Sequence, residues 1–108
     1  MIGLACLANV LYNEARVDDT AMRAVAHVVI NRTVASGRSI CSEVRNGFAN
    51  ESSPKREIGR WNAAMRIANN PGSDFTNGAT YFHTHAVHPS WSRRLRLVYQ
   101  DRWHKFYK

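Results

Sequence analysis

Apolar residues recur at helical spacing through the first part of the chain, and this pattern predicts helices there. The first helix covers residues 3 to 15, and its apolar face carries Leu4, Leu7, Val10 and Leu11. A second helix runs from Ala21 to Val34, with an N-cap among residues 18 to 20 and Gly37 as its stop.

The middle of the chain is less regular. Ser39 to Val44 predicts a short helical turn, and the polar segment from Arg45 to Arg56 predicts no regular structure. A further helix from Glu57 to Asn69 follows, and we expect its inward face to carry Ile58, Trp61, Ala64, Met65 and Ala68.

The last third of the chain is rich in aromatic and β-branched residues that alternate with polar ones. This pattern predicts a short strand from Ala79 to His83 and a hairpin from Leu97 to Tyr107 that turns at Asp101 and Arg102. A helix over Ser92 to Tyr99 competes with the first arm of the hairpin. Helices followed by a small β region predict an α+β fold, with a cleft between the two parts.

Glu14 is a carboxylic acid on the apolar face of the first helix, one turn beyond Leu11. Apolar surroundings raise the pKa of a carboxyl group, because desolvation disfavours its charged form. Such a group keeps a proton near neutral pH and can act as a general acid. The competing interpretation is an edge residue whose carboxylate reaches solvent or pairs with an arginine.

Composition predicts a single globular domain with a strongly basic surface. The chain has 108 residues, of which 44% are hydrophobic, and this is enough for one core. Fifteen Lys and Arg against eight Asp and Glu give a net charge of +7. Such a surface attracts an anionic polymer: nucleic acid, an acidic membrane surface or the bacterial cell wall.

Cys6 and Cys41 are the only two cysteines, and they can form one disulfide or remain as two thiols. The apolar opening of the chain lacks a basic segment and a cleavage pattern, so we read it as part of the mature fold rather than a leader. No apolar stretch reaches the roughly 20 residues of a membrane-spanning helix.

A more specific pattern lies in five segments that follow one another along the chain: CLANVLYNEAR, AVAHVVINR, ICSEV, GATYFHTHAVHPSW and WHKFY. Together they resemble the SleB/CwlJ family of cell wall hydrolases. The resemblance implies a lysozyme-like fold, mostly helical with a small C-terminal β region, and one catalytic domain over residues 1–108. It also implies cleavage of the peptidoglycan glycan strand, with Glu14 of the Glu-Ala-Arg motif as the catalytic acid.

Glycoside cleavage needs a proton donor at the bridging oxygen and stabilisation of an oxocarbenium-like sugar. A second carboxylate is less evident, because helix capping explains Asp18 and Asp19, and Asp74 lies in a loop. One acid suffices when the substrate's own N-acetyl group or C6 hydroxyl acts as nucleophile, as in lytic transglycosylases similar to this family. We therefore expect cleavage between N-acetylmuramic acid and N-acetylglucosamine by transglycosylation, with hydrolysis by a muramidase as the alternative and no cofactor.

Other residues match positions of the family's motifs. The expected substrate-binding residues are Tyr12, Phe48, Tyr81, His83, Trp91 and His104. The expected structural support of the site comes from Arg16, Asn31 and Arg32. We assign Phe82 and Phe106 to the core. The chain departs from the family at Gly47 and Ala49, which replace the usual Gln and Ser on either side of Phe48 and remove two polar groups.

Histidines suggest a rival site, because His83, His85, His88 and His104 could hold zinc in a metallohydrolase. No Asp, Glu or Cys lies nearby in sequence to complete the ligand set. We therefore expect no metal, and sugar contacts or solvated loop positions for these histidines.

A nucleic-acid-binding module is the rival from another class, and its basic residues would be Arg93, Arg94, Arg96, Arg102, Lys105 and Lys108. It leaves the acid on the apolar face of the first helix unexplained. We expect peptidoglycan strands as the partner, no nucleic acid, no membrane insertion and a monomer. We also expect action in the bacterial cell wall or periplasm, either by a phage endolysin or virion-associated lysin that is released by a route without a leader, or by a domain excised from a longer protein.

Overall fold

The structure is a computed structural model that describes residues 2–15, 18–48 and 55–108. Its α-helices are α1 (Ile2–Glu14), α2 (Asp19–Ser36), α3 (Ile40–Gly47) and α4 (Ile58–Asn69). Its strands are β1 (Tyr81–Thr84), β2 (Leu97–Gln100) and β3 (His104–Tyr107), and a 3-10 helix at Ser90–Arg93 precedes β2. The predicted α+β class, mostly helical with a small C-terminal sheet, is confirmed.

Side chains and a glycine set the ends of α2 close to where the sequence predicts them. The prediction of no regular structure from Arg45 onward is wrong at its start, because α3 continues to Gly47. Asp18 caps α2, since its Oδ1 accepts from the Ala21 N–H at 2.7 Å. Gly37 ends the same helix with a φ of 75°, a conformation that costs glycine little. Ser39 caps α3 in the same way, as its Oγ accepts from the Ser42 N–H at 3.1 Å.

Helix α1 lies at the centre of the helical part and packs against α2, α3 and α4. Leu7, Val10 and Leu11 on its apolar face are buried. A disulfide joins Cys6 of α1 to Cys41 of α3, with the two Cα atoms 5.3 Å apart. Of the two states that the sequence leaves open for the cysteines, the structure contains the bridge.

One predicted core position in α4 is wrong. Ile58 is 62% exposed, whereas Ile67 is fully buried. Ile58 is the first residue of the helix, so it precedes the turn at which α4 meets the core. The apolar face is instead centred on Ala64 and Ile67, which lie three residues apart and share one side of the helix.

The strands form one antiparallel sheet in the order β1-β3-β2. Phe82 pairs with Phe106 and Thr84 pairs with His104, while a register irregularity separates Leu97 from Tyr99. The predicted hairpin is confirmed, with a turn between β2 and β3. In the described part of the chain, no helix is both long and apolar enough to cross a bilayer.

Candidate active site

Glu14, the last residue of α1, lies where two cavities meet. One cavity has a volume of about 420 Å³ and the other about 540 Å³, and both are lined by Glu14 and Phe82. We call the two together the groove. The basic arm is also lined by Arg32, Arg45, Asn46, Gly47 and Phe48. The aromatic arm is also lined by Asn13, Thr84, His85, Ala86, Arg102, Trp103 and His104.

Arg32 of α2 organises the basic arm. Its Nε donates to the Thr80 carbonyl, and its Nη1 donates to the Gly47 carbonyl at 3.5 Å. The guanidinium carbon lies 4.5 Å from the Phe48 ring centroid and 4.3 Å from that of Tyr81. A cation between two ring faces is stabilised by their quadrupoles. Arg32 therefore joins the end of α3 to the start of β1.

Gly47 leaves space for the Arg32 side chain beside the end of α3. A Cβ at position 47 would clash with Arg32 Nη1. The absence of a side chain at position 47 therefore leaves room for the Arg32 guanidinium group at the wall of the groove.

Asn31, the neighbour of Arg32, holds the loop that precedes β1. Its Nδ2 donates to the Ala79 carbonyl at 2.9 Å and to Asp74 Oδ2 at 3.0 Å. Asp74 Oδ1 accepts from the N–H and the hydroxyl of Thr76, at 2.7 and 2.6 Å. Burial acts to raise the pKa of Asp74, but the hydrogen bonds from Thr76 and Asn31 outweigh it and lower the pKa below its ordinary value.

The other candidate carboxylates also have structural partners. Asp18 caps α2, and Asp19 pairs with Arg66 at 3.1 Å on the surface. Neither these residues nor Asp74 lines the groove. Within residues 2–15, 18–48 and 55–108, Glu14 is the only carboxylate in the lining of either arm.

Rings form the floor of the groove. Phe82 stacks between Phe48 and Phe106, with centroid distances of 6.3 and 5.9 Å, and meets the edge of His104 at 5.4 Å. The sequence predicts Phe82 as a core residue only, but its half-buried ring also lines both arms of the groove. Trp103 is 39% exposed on the aromatic arm.

Three of the predicted substrate-binding residues lie away from the groove lining, around the opposite face of the sheet. His83 is buried, its ring stacks on Tyr107, and its Nε2 is 2.9 Å from the Tyr107 hydroxyl. Trp91 packs against both His83 and Tyr81. Successive residues of a strand point to opposite faces, so Phe82 and Thr84 face the groove while Tyr81 and His83 do not.

The remaining predicted residues divide between groove and core. Phe48 and His104 line the groove, and Arg32 supports it. Tyr12 is 5% exposed and points toward α4, where its hydroxyl accepts from the Glu57 N–H at 3.2 Å. Arg16 lies outside the described residues.

Sequence reasoning missed several residues of the groove lining: Arg45, Asn46, Thr84, Arg102 and Trp103. Trp103 could have been predicted as a groove residue, because it is an aromatic residue beside a polar turn, in the WHKFY segment. Arg45 carried no local signal, because its place depends on how α3 meets the sheet.

The histidines of the predicted rival site have other partners. His85 Nε2 is 3.2 Å from the Asp101 carbonyl, and His83 Nδ1 is 2.7 Å from the Thr84 carbonyl. Among the described residues, no three His, Cys, Asp or Glu side chains are grouped so as to hold a metal ion.

Comparisons with known proteins agree with this architecture. The model of the cell wall hydrolase family matches residues 17–107, a range that begins just after Glu14. The crystal structure of the catalytic domain of the Bacillus cereus SleB protein is similar, with a TM-score of 0.66 and 21% sequence identity. The alignment covers 98% of this chain and 89% of that one. No curated protein matches the chain.

Proposed function

We propose a function from the premise that this chain belongs to the cell wall hydrolase family. The proposed reaction is cleavage of the β-1,4 bond between N-acetylmuramic acid and N-acetylglucosamine in peptidoglycan. Glu14 is the proposed acid, and residues 1–108 act as a single catalytic domain without a cofactor. The observation that carries the proposal is the place of Glu14 at the junction of the two arms of the groove.

The shape of the groove supports an extended substrate. Cavities of about 420 and 540 Å³ meet at Glu14, and each volume lies in the range of small-ligand sites. A glycan strand lying along both arms passes Glu14 at its middle. A glycosidic oxygen at that point can receive the proton, while flanking sugars remain bound on either side.

The expected mechanism uses one carboxyl group twice. Glu14 donates its proton to the bridging oxygen as the bond to the anomeric carbon breaks. The resulting carboxylate then takes a proton from the C6 hydroxyl of the muramic residue, whose oxygen attacks that carbon and closes a 1,6-anhydro ring. Glu14 thereby regains its proton.

Transglycosylation is favoured over hydrolysis because Glu14 is the sole carboxylate among the described groove-lining residues. Inverting hydrolases use a second carboxylate to activate water, and many retaining enzymes use one as nucleophile. A substrate hydroxyl removes this need. Hydrolysis by water activated at Glu14 is the alternative, and its products differ at the new chain end.

The net charge of +7 supports the proposed substrate. A basic protein is attracted to an anionic wall polymer, and salt weakens this attraction. Arg32, Arg45 and Arg102 lie in the groove lining, so part of the charge is at the proposed binding surface.

The test is digestion of purified peptidoglycan by the wild type, Glu14→Gln and a matched control, Glu57→Gln. Glu57 carries an exposed carboxylate that pairs with Arg60 at 2.9 Å outside the groove. We expect Glu14→Gln to lose activity by about 10²-fold or more and the control to retain it.

Mass spectrometry of the products identifies the reaction. Anhydro-muramic ends support transglycosylation, and reducing ends support hydrolysis. Wild-type activity in Glu14→Gln would refute the assignment of the acid.

A further inference from the structure

Arg32 is a half-buried cation at the wall of the basic arm, and the described residues provide it with no counter-ion. Its side-chain hydrogen bonds go to the neutral carbonyls of Thr80 and Gly47. None of the ion pairs between described residues includes Arg32. A charge that is partly removed from water without a paired charge is costly. A bound anion at this point would therefore lower the free energy of the site.

The acids that share a cavity with Arg32 do not neutralise it. Glu43 lines a further cavity of about 310 Å³ with Arg32, but its Oε2 accepts from the Ser36 hydroxyl at 2.7 Å, and it forms no ion pair with Arg32. Glu14 lines the basic arm, and in the proposed reaction it begins protonated and uncharged. The charge of Arg32 is therefore available to a ligand in the groove.

The guanidinium group is held in place before any ligand binds. The rings of Phe48 and Tyr81 contact its carbon atom, with centroid distances of 4.5 and 4.3 Å. Its bonds through Nε and Nη1 leave Nη2 without a hydrogen bond in the part of the chain that the structure describes, so further N–H donors remain for a ligand. A guanidinium group matches the geometry of a carboxylate, and a fixed group loses little freedom when it binds one.

Arg45 adds a second cation to the basic arm. It lies in the last turn of α3, where a cation interacts favourably with the negative end of the helix dipole. Its side chain is exposed, and it takes part in no ion pair within residues 2–15, 18–48 and 55–108. Two cations therefore line a cavity in which the proposed acid is the sole described carboxylate.

We propose that Arg32 and Arg45 form a carboxylate-binding subsite for the muramic acid residue of the substrate. This inference rests on the proposed function. Of the two sugars of peptidoglycan, only muramic acid carries a lactyl group, which ends in a carboxylate or continues into a peptide stem with carboxylates of its own. The subsite holds this sugar in the basic arm, and it distinguishes peptidoglycan from a neutral polymer of N-acetylglucosamine.

The first test compares three soluble strand preparations at one ionic strength. One has peptide stems, one has lost its stems to an amidase, and one has stems whose carboxyl groups are converted to methylamides. The first two distinguish the stem from the lactyl group as the source of the carboxylate. We expect kcat/KM of the wild type to be about tenfold lower on the methylamide strands. Equal kcat/KM on all three preparations would overturn the proposal.

The second test compares Arg45→Gln with Arg93→Gln, which removes one charge from an exposed position outside the groove lining. Arg45→Gln should lower kcat/KM about tenfold on the carboxylate-bearing strands and change it less than about twofold on the methylamide strands. Arg93→Gln should keep the full preference for carboxylates. Equal effects of the two variants would assign the preference to net charge and refute the subsite.

Arg32→Lys tests the other cation, because it keeps the charge and loses the planar group. We expect it to lose most of the preference for carboxylates, and a folded variant with the full preference would refute the role of Arg32. If this variant does not fold, NMR of the wild type replaces it. The guanidinium N–H signals of Arg32 should shift with the disaccharide of N-acetylglucosamine and N-acetylmuramic acid, and equal shifts with chitobiose, which has no carboxylate, would refute the role. Failure of the proposed function is distinct, since Glu14→Gln would then stay fully active on every strand preparation.

Discussion

Removal of the Cys6–Cys41 disulfide should lower stability strongly while leaving the groove intact. The bridge joins α1, which carries Glu14, to α3, whose end forms the wall of the basic arm. That wall has a second attachment, since Arg32 donates to the Gly47 carbonyl and packs on Phe48. We therefore expect the bridge to act on the unfolded chain more than on the shape of the site.

The magnitude follows from the length of chain that the bridge closes. The two cysteines are 35 residues apart in sequence, and the loss of loop entropy in the unfolded state is worth about 4 kcal/mol at 25 °C. A chain of 108 residues has an unfolding entropy of about 0.23 kcal/mol/K near 60 °C. Removal of the bridge should then lower the Tm by about 17 °C.

The assay is thermal unfolding of the wild type and of the Cys6→Ser, Cys41→Ser double variant, each with and without dithiothreitol. Reduction should lower the Tm of the wild type to that of the double variant and leave the variant unchanged. Peptidoglycan digestion well below both Tm values should differ by less than about twofold. A Tm shift under about 5 °C, or loss of activity in a folded variant, would contradict this reasoning.

Two further predictions concern the aromatic arm. Trp103→Ala should raise KM for glycan strands about tenfold, the equivalent of about 1.4 kcal/mol, with little change in kcat, because an exposed ring that contacts a sugar away from the scissile bond acts on binding. Trp103→Phe is the matched control. An unchanged KM in the alanine variant would exclude the contact. Burial lowers the pKa of His104 below its ordinary value of 6.5, although Asp101 and the Glu14 main chain oppose the effect. The unfolded state then binds the proton more readily, so the contribution of His104 to stability is complete above about pH 6.5 and falls as the pH drops toward the lowered pKa. Urea unfolding from pH 8 to pH 5 should show this slope in the wild type, and an equal slope in His104→Gln would assign it to other groups.

Local chemistry made the ends of α2 and the hairpin predictable from the sequence. Asp18 and Gly37 each act within a few residues of their own position, so their effects do not depend on the rest of the fold. The position of Glu14 was predictable for a related reason. Its place on an apolar helical face is a property of α1 alone, whereas its chemical role is a proposal that comes from the family resemblance.

The composition of the groove was less predictable because it depends on contacts between distant segments. Arg45 and Trp103 come to the same groove only when α3 and the β2–β3 turn both approach Glu14. The faces of β1 were also ambiguous from sequence. Assignment of Tyr81 and His83 to the cleft, rather than Phe82 and Thr84, is a shift of one residue, and such a shift exchanges the two faces of a strand.

The two ends of the groove differ, and this difference gives the site a direction. Arg32 and Arg45 lie at one end, and Trp103 lies at the other. A peptidoglycan strand alternates two sugars and therefore contains two kinds of linkage, which trade places when the strand is shifted by one sugar. A symmetrical channel would accept either register equally. Under the proposed function, each sugar would meet different chemistry on either side of Glu14, so the residues beside the scissile bond would select the linkage and the proposed acid would not have to.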